Sequence, residues 1–478
     1  MTITNRPSSA APSLLGGSIE LPSQPCRHAE PRRVDPWTGD PGSVGRVTIV
    51  GAGKMGLPLA VQFAGHGWDV TAVDVQAAVV DSINAGRNHV TEEPGLTDGV
   101  ATAHAAGRLR ATLDGAAAAA TADVVVLIVP VLLDDEQQPD YRYMDAAVEA
   151  IAPGVHAGST IIFETTLPVG DTRHRFAPRV EVVSGLRADR DFFVAFSPER
   201  LYSGAALKNL AMYPKLVGGL GPESGARAAA FYGSVLDAEV VLMSSAEAAE
   251  FSKLADTTYR DVNIALANEF ARYADRVGVD VQEVIAAANS QPYSHIHQPG
   301  LGVGGHCIPV YPYFLLSRAP EMELVELSRR VNDGQIGLAI RTIQKGLGGL
   351  EGVPVLVLGL TYRDGVKELA YSRALPLIER LAFHGALVSA YDPLLSEAEI
   401  DQSAARPYRW GTPADARAIV TQTADPLFRT LDFADFPALE LLFDGRNSLR
   451  DVVLPARVTY HGVGVPAAAR IPAEAATR

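Results

Sequence analysis

A glycine-rich loop at residues 299–312, with the sequence PGLGVGGHCIPVYP, holds the strongest candidate for chemistry in this chain. It places four glycines around His306 and Cys307. Glycine at this density is typical of backbone that bends tightly or approaches a ligand. A thiol at the end of such a loop can be a nucleophile if its surroundings favour the thiolate. The alternative is a surface loop with an incidental cysteine, and the loop alone does not separate the two.

A second glycine pattern lies in the segment RVTIVGAGKMGLPLAVQFAGHGWDVTAVDV. Gly51, Gly53 and Gly56 have GxGxxG spacing between a predicted strand and a predicted helix, and Asp74 ends the next predicted strand. In this context the glycines permit a tight turn, approach to a pyrophosphate and close helix–strand packing. The carboxylate can bind ribose hydroxyls and would repel a 2′-phosphate. We therefore predict an NAD site rather than an NADP site, with a purely structural glycine turn as the alternative.

The elements that must position these residues alternate between strands and helices, which predicts an α/β fold. Apolar runs typical of buried parallel strands occur at 124–130, 161–166 and 192–197. Ligands of open α/β sheets bind beyond the carboxyl ends of the strands. We therefore expect Thr166, Glu164 and Glu199 to point towards one crevice, although each alone could be a helix cap or a surface turn. For Glu164 we favour a cap or a turn.

A long helical pattern covers residues 245–277. Lys253, Thr257 and Arg260 share one stripe of this helix by their spacing. A lysine on an amphipathic helix is usually a solvated charge. Six apolar residues could bury one face of the helix: Phe251, Leu254, Ile264, Leu266, Phe270 and Tyr273. A helix this long commonly joins two domains or forms a dimer interface.

The strand–helix alternation returns after Gly346, with strands predicted at 354–360 and 386–391 and a helix at 371–384. This second, smaller α/β unit lacks the GxGxxG spacing, so we expect its ligand to differ from a second dinucleotide. The predicted fold is therefore α/β, with two Rossmann-like domains joined by a long central helix.

Composition narrows the class of protein. The 478 residues carry a formal net charge of −14, which argues against general affinity for nucleic acid or an anionic membrane. No apolar run approaches the ~20 residues of a membrane span. The two cysteines, Cys26 and Cys307, provide neither a disulfide framework nor a metal site, so a cytoplasmic setting is expected. Residues 1–45 lack periodicity and a secretion signal, which predicts a flexible tail.

Ten motifs in chain order make the sequence resemble the UDP-glucose/GDP-mannose dehydrogenase family of nucleotide-sugar 6-dehydrogenases: GAGKMGLPLA, EEPGL, ETTLPVG, SPERL, KLADTTYRDVNIALANE, HQPGLGVGGHCIPV, RRVNDG, GLTYR, YDP and DGRN. The most similar subgroup is that of the UDP-N-acetylmannosamine dehydrogenases. The resemblance implies an NAD-binding Rossmann domain at 46–242 and a central helical dimerisation domain with the catalytic cysteine loop at 243–346. A nucleotide-sugar-binding domain follows at 347–478.

The resemblance also implies a reaction, a four-electron oxidation of a sugar primary alcohol to a uronate with two NAD+. Cys307 would add to the C6 aldehyde and form a thiohemiacetal, then a thioester that water hydrolyses. Lys253 would stabilise the oxyanion, and Thr257 stands where the family has an Asn that shares this task. Thr166 and Glu199 match positions that order the catalytic water.

The other implied roles concern binding. The cofactor would contact Gly51, Gly53, Lys54, Met55, Gly56, Asp74, Val129, Pro130 and Thr166. The nucleotide sugar would contact Arg260, Gly302, Gly304, Tyr311, Tyr362 and Arg363. No metal is expected. A homodimer is expected, with Arg260 reaching the substrate of the partner subunit.

Several positions depart from the family pattern, and one is the end of the cofactor strand, where Val131–Leu132 replace a Thr–Pro pair and a hydroxyl is lost. Tyr311 replaces an Asp, Thr257 replaces an Asn, and Ala370 and Tyr293 stand where the family has arginines near the substrate. The changes affect groups that activate water and bind anions. They leave three hypotheses open: a working 6-dehydrogenase, a two-electron alcohol dehydrogenase of nucleotides or nucleotide sugars, and a non-catalytic homologue.

Overall fold

The computed structural model describes residues 44–90, 92–202 and 204–466. The predicted tail lies outside these ranges except for Val44 and Gly45, and Cys26 lies outside them as well. Within the described ranges, no helix has the length and apolar character needed to cross a membrane.

An eight-stranded sheet forms the amino-terminal half, in the order β10-β9-β8-β7-β4-β1-β2-β3. Its strands are parallel to their neighbours except for the antiparallel pair β8 and β9. Two further short strands, β5 and β6, form a separate antiparallel pair. The ten strands are β1 (Arg46–Val50), β2 (Asp69–Val73), β3 (Leu109–Thr112), β4 (Val124–Leu127), β5 (Leu132–Leu133), β6 (Pro139–Asp140), β7 (Thr160–Phe163), β8 (Phe193–Phe196), β9 (Lys215–Gly219) and β10 (Val240–Leu242).

Helices cover both faces of this sheet, which explains the uninterrupted apolar runs of its strands. Along β4, Val124 and Val126 pack into one core layer, and Val125 and Leu127 pack into the layer on the opposite side. The helices of this half are α1 (Gly56–Gly65), α2 (Ala77–Asn84), α3 (Leu96–Ala105), α4 (Gly115–Ala119), α5 (Arg142–Ile151), α6 (Ala177–Ser184), α7 (Ala206–Met212) and α8 (Pro222–Val235).

The long central helix, α9 (Ala246–Val277), confirms the predicted element almost residue for residue. The Ser245 hydroxyl accepts a hydrogen bond from the Ala248 amide at its start, and Gly278 ends it with φ = 77°. Four shorter helices follow: α10 (Val281–Ala288), α11 (Tyr311–Leu316), α12 (Glu323–Asp333) and α13 (Gln335–Leu347).

The face of α9 that the structure buries differs from the face predicted from its large apolar residues. Of the six, Leu254 is buried and Ile264 is half-buried, whereas Phe251, Leu266, Phe270 and Tyr273 are exposed. The buried face uses alanines and polar residues instead. Asp261, for example, accepts hydrogen bonds from Arg329 and Asn332 of α12 at 2.6 and 2.8 Å. Small residues let the two helices approach, and the polar pairs satisfy each other.

A fully parallel six-stranded sheet forms the carboxyl-terminal half, in the order β13-β12-β11-β14-β15-β16, and confirms the second Rossmann-like domain. The predicted strands and helix there are each present but shorter. The elements are β11 (Pro354–Leu358), α14 (Ala374–Phe383), β12 (Leu387–Tyr391), α15 (Glu397–Asp401), β13 (Arg406–Pro407), β14 (Ala418–Thr421), β15 (Leu441–Asp444) and β16 (Thr459–Gly462).

Candidate active site

The turn between β1 and α1 has the geometry of a dinucleotide site. Gly51 has φ = 98°, and a Cβ there would lie 3.0 Å from the Ile128 carbonyl oxygen. A Cβ on Gly56 would collide with the carbonyl oxygen of Gly51. At Gly53, by contrast, no atom of the described residues lies within 4 Å of a Cβ position. The protein's own packing therefore requires glycine at positions 51 and 56. Gly53 instead leaves the open backbone that a pyrophosphate needs.

Asp74 follows β2 directly, at the position suited to ribose hydroxyls. Its Oδ2 accepts the Ala52 amide at 3.0 Å and its Oδ1 accepts the Gln76 amide at 3.0 Å, so the carboxylate is fixed beside the glycine turn. Val129 lies on the opposite side of the turn, with its Cγ1 3.1 Å from a Cβ position on Gly51. Met55 immediately precedes α1, and Pro130 is exposed after β4. These residues fit NAD, which supplies the hydride acceptor of the reaction when bound.

Lys54 has a contact that its place in the glycine turn does not predict. Its Nζ lies 3.0 Å from Glu368 Oε2 and 3.7 Å from Glu92 Oε1. The same Glu368 oxygen is 3.6 Å from His306 Nε2. Hydrogen bonding from His306, with a further contribution from Lys54, lowers the pKa of Glu368. One carboxylate of the carboxyl-terminal domain therefore joins the cofactor turn to the cysteine loop.

The glycines of the cysteine loop are enclosed by the carboxyl-terminal domain. A Cβ on Gly304 would lie 2.9 Å from the Tyr371 carbonyl oxygen and 3.0 Å from Tyr362 Cβ. Gly302 has φ = 121° and faces Arg373 Nε at 2.8 Å from its Cβ position. The loop thus needs glycine because another domain packs on its backbone.

The cysteine loop leads into α11 and brings Tyr311 to the predicted catalytic residues. The Cys307 carbonyl oxygen accepts the Tyr311 amide at 2.9 Å. Thr166 and Cys307 both influence the pKa of the Tyr311 hydroxyl, and the Tyr311 ring centroid lies 5.9 Å from Lys253 Nζ. Burial, followed by the influence of Cys307, raises the pKa of Tyr311 well above its ordinary value. Residues from three separate segments therefore meet at one tyrosine.

Lys253 is buried, which excludes the solvated charge that its place on a helix first indicated. Thr257, one turn later, is also buried. The Thr257 hydroxyl lies 2.9 Å from the Lys253 carbonyl oxygen and 3.1 Å from that of Leu254, both in its own helix. A hydroxyl has one proton to donate. In this arrangement Lys253 is the group able to face an oxyanion.

Glu199 lies beyond the carboxyl end of β8, as expected. Its Oε1 accepts the Leu201 amide at 2.7 Å, and its Oε2 is 3.7 Å from Lys215 Nζ. The interpretation of Glu164 as a cap or surface turn is wrong, because its side chain is fully buried. Glu164 Oε2 lies 3.0 Å from Lys215 Nζ, and Tyr232 donates to Glu164 Oε1. Inside the domain, the ion pair with Lys215 replaces the solvent contacts that Glu164 would make at the surface.

Two of the predicted substrate residues, Arg260 and Arg363, lie beside Tyr202. Arg260 Nη1 is 3.4 Å from the Tyr202 hydroxyl, and Arg260 Nη2 is 3.2 Å from Asp256 Oδ2. The guanidinium of Arg363 lies 5.7 Å from the Tyr202 ring and 5.6 Å from the Tyr362 ring. Two cations on one tyrosine form a positively charged region suited to a diphosphate. Tyr293, where the family has an arginine, is exposed.

The sequence did not lead us to three residues of this region, which are Lys215, Tyr232 and Glu368. Lys215 begins the strand β9, and a charge at the start of an apolar run was the available signal. Tyr232 belongs to α8, and the sequence of that helix contains no comparable feature that would indicate a functional residue. Within the described residues, no group of three or more His, Cys, Asp or Glu side chains is placed to hold a metal ion.

Comparison with known proteins gives three matches to the UDP-glucose/GDP-mannose dehydrogenase family. They are the NAD binding domain at residues 45–236, the central domain at 247–334 and the UDP binding domain at 356–451. The UDP-N-acetyl-D-mannosamine dehydrogenase of Pyrococcus horikoshii is 33% identical over 88% of this chain and 99% of its own. The NDP-N-acetyl-D-galactosaminuronic acid dehydrogenase of Ralstonia nicotianae is 34% identical over 70% of this chain and 79% of its own.

Solved structures agree with the sequence matches. The UDP-D-ManNAc dehydrogenase structure from Pyrococcus horikoshii has a TM-score of 0.79 at 32% identity, over 88% of this chain and 99% of that chain. A UDP-glucose dehydrogenase from Pyrobaculum islandicum has a TM-score of 0.79 at 26% identity, over 90% and 99%. The chain therefore belongs to the UDP-glucose/GDP-mannose dehydrogenase family of NAD-dependent nucleotide-sugar dehydrogenases.

Proposed function

We propose that the protein oxidises the C6 primary alcohol of a nucleotide-linked N-acetylhexosamine to the carboxylate in two NAD-dependent steps. The observation that carries this proposal is the meeting of Cys307, Thr166 and Lys253 at Tyr311. A thiol, a hydroxyl and an ammonium group are the set that acyl chemistry on an aldehyde requires. The names of the Pyrococcus and Ralstonia relatives favour an acetamido sugar.

In the first oxidation, C6 gives up a hydride, for which bound NAD would be the acceptor, and its hydroxyl releases a proton to solvent, which gives the aldehyde. Lys253 stabilises the negative charge that develops on the C6 oxygen, and its burial strengthens this interaction. Arg260 and Arg363 lie beside Tyr202 of the same chain and bind the diphosphate there, so in this proposal Arg260 serves the substrate of its own subunit and not that of the partner.

In the second oxidation, Cys307 Sγ adds to the aldehyde carbon and forms a thiohemiacetal. Its oxyanion faces Lys253, and loss of the second hydride gives a thioester. Water then adds to the thioester carbon, the C–S bond breaks and its electron pair returns to sulfur. Thr166 and Glu199 position this water.

The test is the stoichiometry of NADH formation with a panel of UDP- and GDP-linked hexoses and N-acetylhexosamines. We expect two NADH per acid product, identified by mass. Cys307→Ser should lower turnover about a thousandfold, and Cys26→Ser, which alters the chain's other cysteine, should leave it unchanged. Absence of turnover with every member of the panel would contradict the proposal.

A second candidate function is favoured by Tyr311 itself. This residue brings a phenol, where the family has a carboxylate, against Cys307 and Thr166. If the tyrosine excludes the hydrolytic water, oxidation stops after two electrons. The product would then be an aldehyde or a ketone with one NADH, and Cys307→Ser would retain nearly full turnover.

We further propose that α9 pairs with a second copy of this chain. Its exposed apolar residues recur at helical spacing and form one stripe about 100° wide. The stripe consists of Phe251, Tyr259, Leu266, Phe270, Tyr273 and Val277. An apolar stripe of this length on a soluble protein is typical of a protein–protein interface.

A further inference from the structure

A buried cluster of ionisable side chains gathers residues from three strands of the amino-terminal sheet, or the segments that follow them, and from one helix packed on the sheet. Glu164 follows β7, Glu199 follows β8, Lys215 begins β9 and Tyr232 belongs to α8. Lys215 Nζ is 3.0 Å from Glu164 Oε2 and 3.7 Å from Glu199 Oε2. The two carboxyl groups also interact directly, and Tyr232 donates to Glu164.

The cluster contains two acids and a single base, so it carries one excess negative charge when both acids are ionised. Burial raises the pKa of Glu164 to about 7, with Lys215 opposing the rise and Glu199 adding to it. The charged or titratable groups that face Glu164 are therefore Lys215 from β9, Glu199 from the segment after β8 and Tyr232 from α8. Near neutral pH the cluster gains or loses one proton at Glu164.

Glu199 connects this cluster to the reacting groups. Its charge acts on Tyr311, whose hydroxyl contacts Cys307 and Thr166. The Glu199 Oε2 atom is buried and has no hydrogen-bond partner among the described residues, although Lys215 lies close by. Tyr311 keeps its proton because its pKa is raised. Glu164 Oε2 also lacks a hydrogen-bond partner among the described residues, but it lies closer to Lys215 Nζ, at 3.0 Å against 3.7 Å for Glu199 Oε2.

We propose that Glu164, through Lys215 and its direct contact with Glu199, controls when Glu199 can accept a proton from the water that hydrolyses the Cys307 thioester. The inference rests on the proposed function. In this step an O–H bond of water breaks and its proton passes to Glu199, while the water oxygen bonds to the acyl carbon. The C–S bond then breaks, thiolate leaves with the electron pair, and Glu199 releases its proton to solvent.

The charge of Glu164 determines how strongly Lys215 holds Glu199. When Glu164 is protonated, Lys215 pairs with Glu199 as the single remaining carboxylate. When Glu164 ionises, two carboxylates share one ammonium group, and Glu199 Oε2 is left to accept from the water. Thioester hydrolysis should therefore accelerate as pH rises through 7. Glu164 is a positioning residue in this scheme, because it touches neither substrate nor thioester.

The experiment measures breakdown of the acyl-enzyme between pH 6 and 9 in rapid-quench single turnovers with UDP-N-acetyl-D-mannosamine or the most active member of the panel. Intact-protein mass reports the acyl-enzyme, and absorbance reports NADH. In the unaltered protein, breakdown should accelerate about tenfold across this range. In Glu164→Gln, breakdown should lose this pH dependence and stay at the slow rate, while NADH formation changes less than about twofold.

Tyr232→Phe provides a second variant that keeps Glu164 ionisable. The Tyr232 hydrogen bond lowers the pKa of Glu164, so its loss should move the acceleration to higher pH. An unchanged profile in both variants, or in Tyr232→Phe alone if Glu164→Gln fails to fold, would overturn the inference while two NADH still support the proposed function. One NADH and no acyl-enzyme in the unaltered protein would overturn both.

Discussion

Tyr311 changes the chemistry available beside Cys307 more than any other departure from the family pattern. The residue is neutral, because burial and the neighbouring thiol raise the pKa of its hydroxyl. A neutral phenol can donate to a thiolate or hold a hydroxyl in place, but it does not remove a proton from water. Its contacts with Cys307 and Thr166 therefore indicate a role in ordering these two groups.

Tyr311→Phe tests this role, because it keeps the ring and removes the hydroxyl. Loss of the hydroxyl that influences the thiol and the threonine should lower kcat about three- to tenfold. KM should not change, since the ring still fills its place. Tyr313→Phe is the matched control, because its hydroxyl accepts from Gln137 Nε2 at 3.1 Å, away from the thiol. Equal effects of the two substitutions on kcat would contradict a role for the Tyr311 hydroxyl.

Thr257 is the predicted catalytic residue whose contacts leave it least available. Since its hydroxyl is held by carbonyl oxygens of α9, Thr257→Val should reduce kcat less than about threefold, far below the hundredfold loss typical of an oxyanion donor. Lys253→Met should show that large loss. Steady-state kinetics gives kcat for both variants. A hundredfold loss of kcat in Thr257→Val would show that the Thr257 hydroxyl does stabilise the oxyanion.

At the scale of elements, local patterns predicted what forms but not always which side is buried. The helical pattern alone predicted α9 within a residue of its observed bounds. Its buried face was assigned wrongly, because large apolar side chains normally mark the core. Here alanines of α9 pack against α12, and Asp261 of α9 accepts hydrogen bonds from Arg329 and Asn332 of α12. The buried face of α9 therefore depends on residues about 70 positions away in the sequence.

The amino-terminal end of α9 carries two glutamates that should respond to pH in different ways. Glu250 is buried and accepts hydrogen bonds from the Gly170 amide at 2.6 Å and the Thr172 amide at 3.0 Å. Burial raises the pKa of Glu250 to about 7. A hydrogen bond from Arg173 lowers the pKa of Glu247 to about 2.

A raised carboxyl pKa means that the folded state binds the proton more tightly, so this contribution to stability is lost as pH rises from 4.5 through 7. Glu250→Gln, which cannot ionise, should therefore gain in melting temperature relative to the unaltered protein between pH 5 and 8. The contribution of Glu247 is complete above its ordinary pKa of 4.5 and is lost only in acid. Glu247→Gln, the matched control, should keep a constant difference over the same range. Parallel pH profiles for the two variants would refute the assignment.

At the scale of the whole molecule, the sequence predicted the two α/β domains and the place of the cysteine loop between them. It did not predict how the domains meet at that loop. Tyr362, Tyr371 and Arg373 enclose the loop glycines, and Glu368 joins the loop to the cofactor turn. Such contacts join segments far apart in the chain, where periodicity and motif spacing carry no information. Ordered motifs predicted the candidate reacting groups, and tertiary packing determined their neighbours.

The exposed stripe on α9 gives the last prediction, because the chain offers no described element that covers it. If a second copy does, light scattering should give twice the 50.7 kDa of one chain. Leu266→Glu combined with Tyr273→Glu would bury two carboxylates in the interface without partners, which costs more than an interface of this kind can offset. The double variant should therefore be monomeric, with its circular dichroism unchanged. Tyr143→Glu, which alters an exposed tyrosine on α5, should remain dimeric. A monomeric unaltered protein would show that the stripe serves another partner.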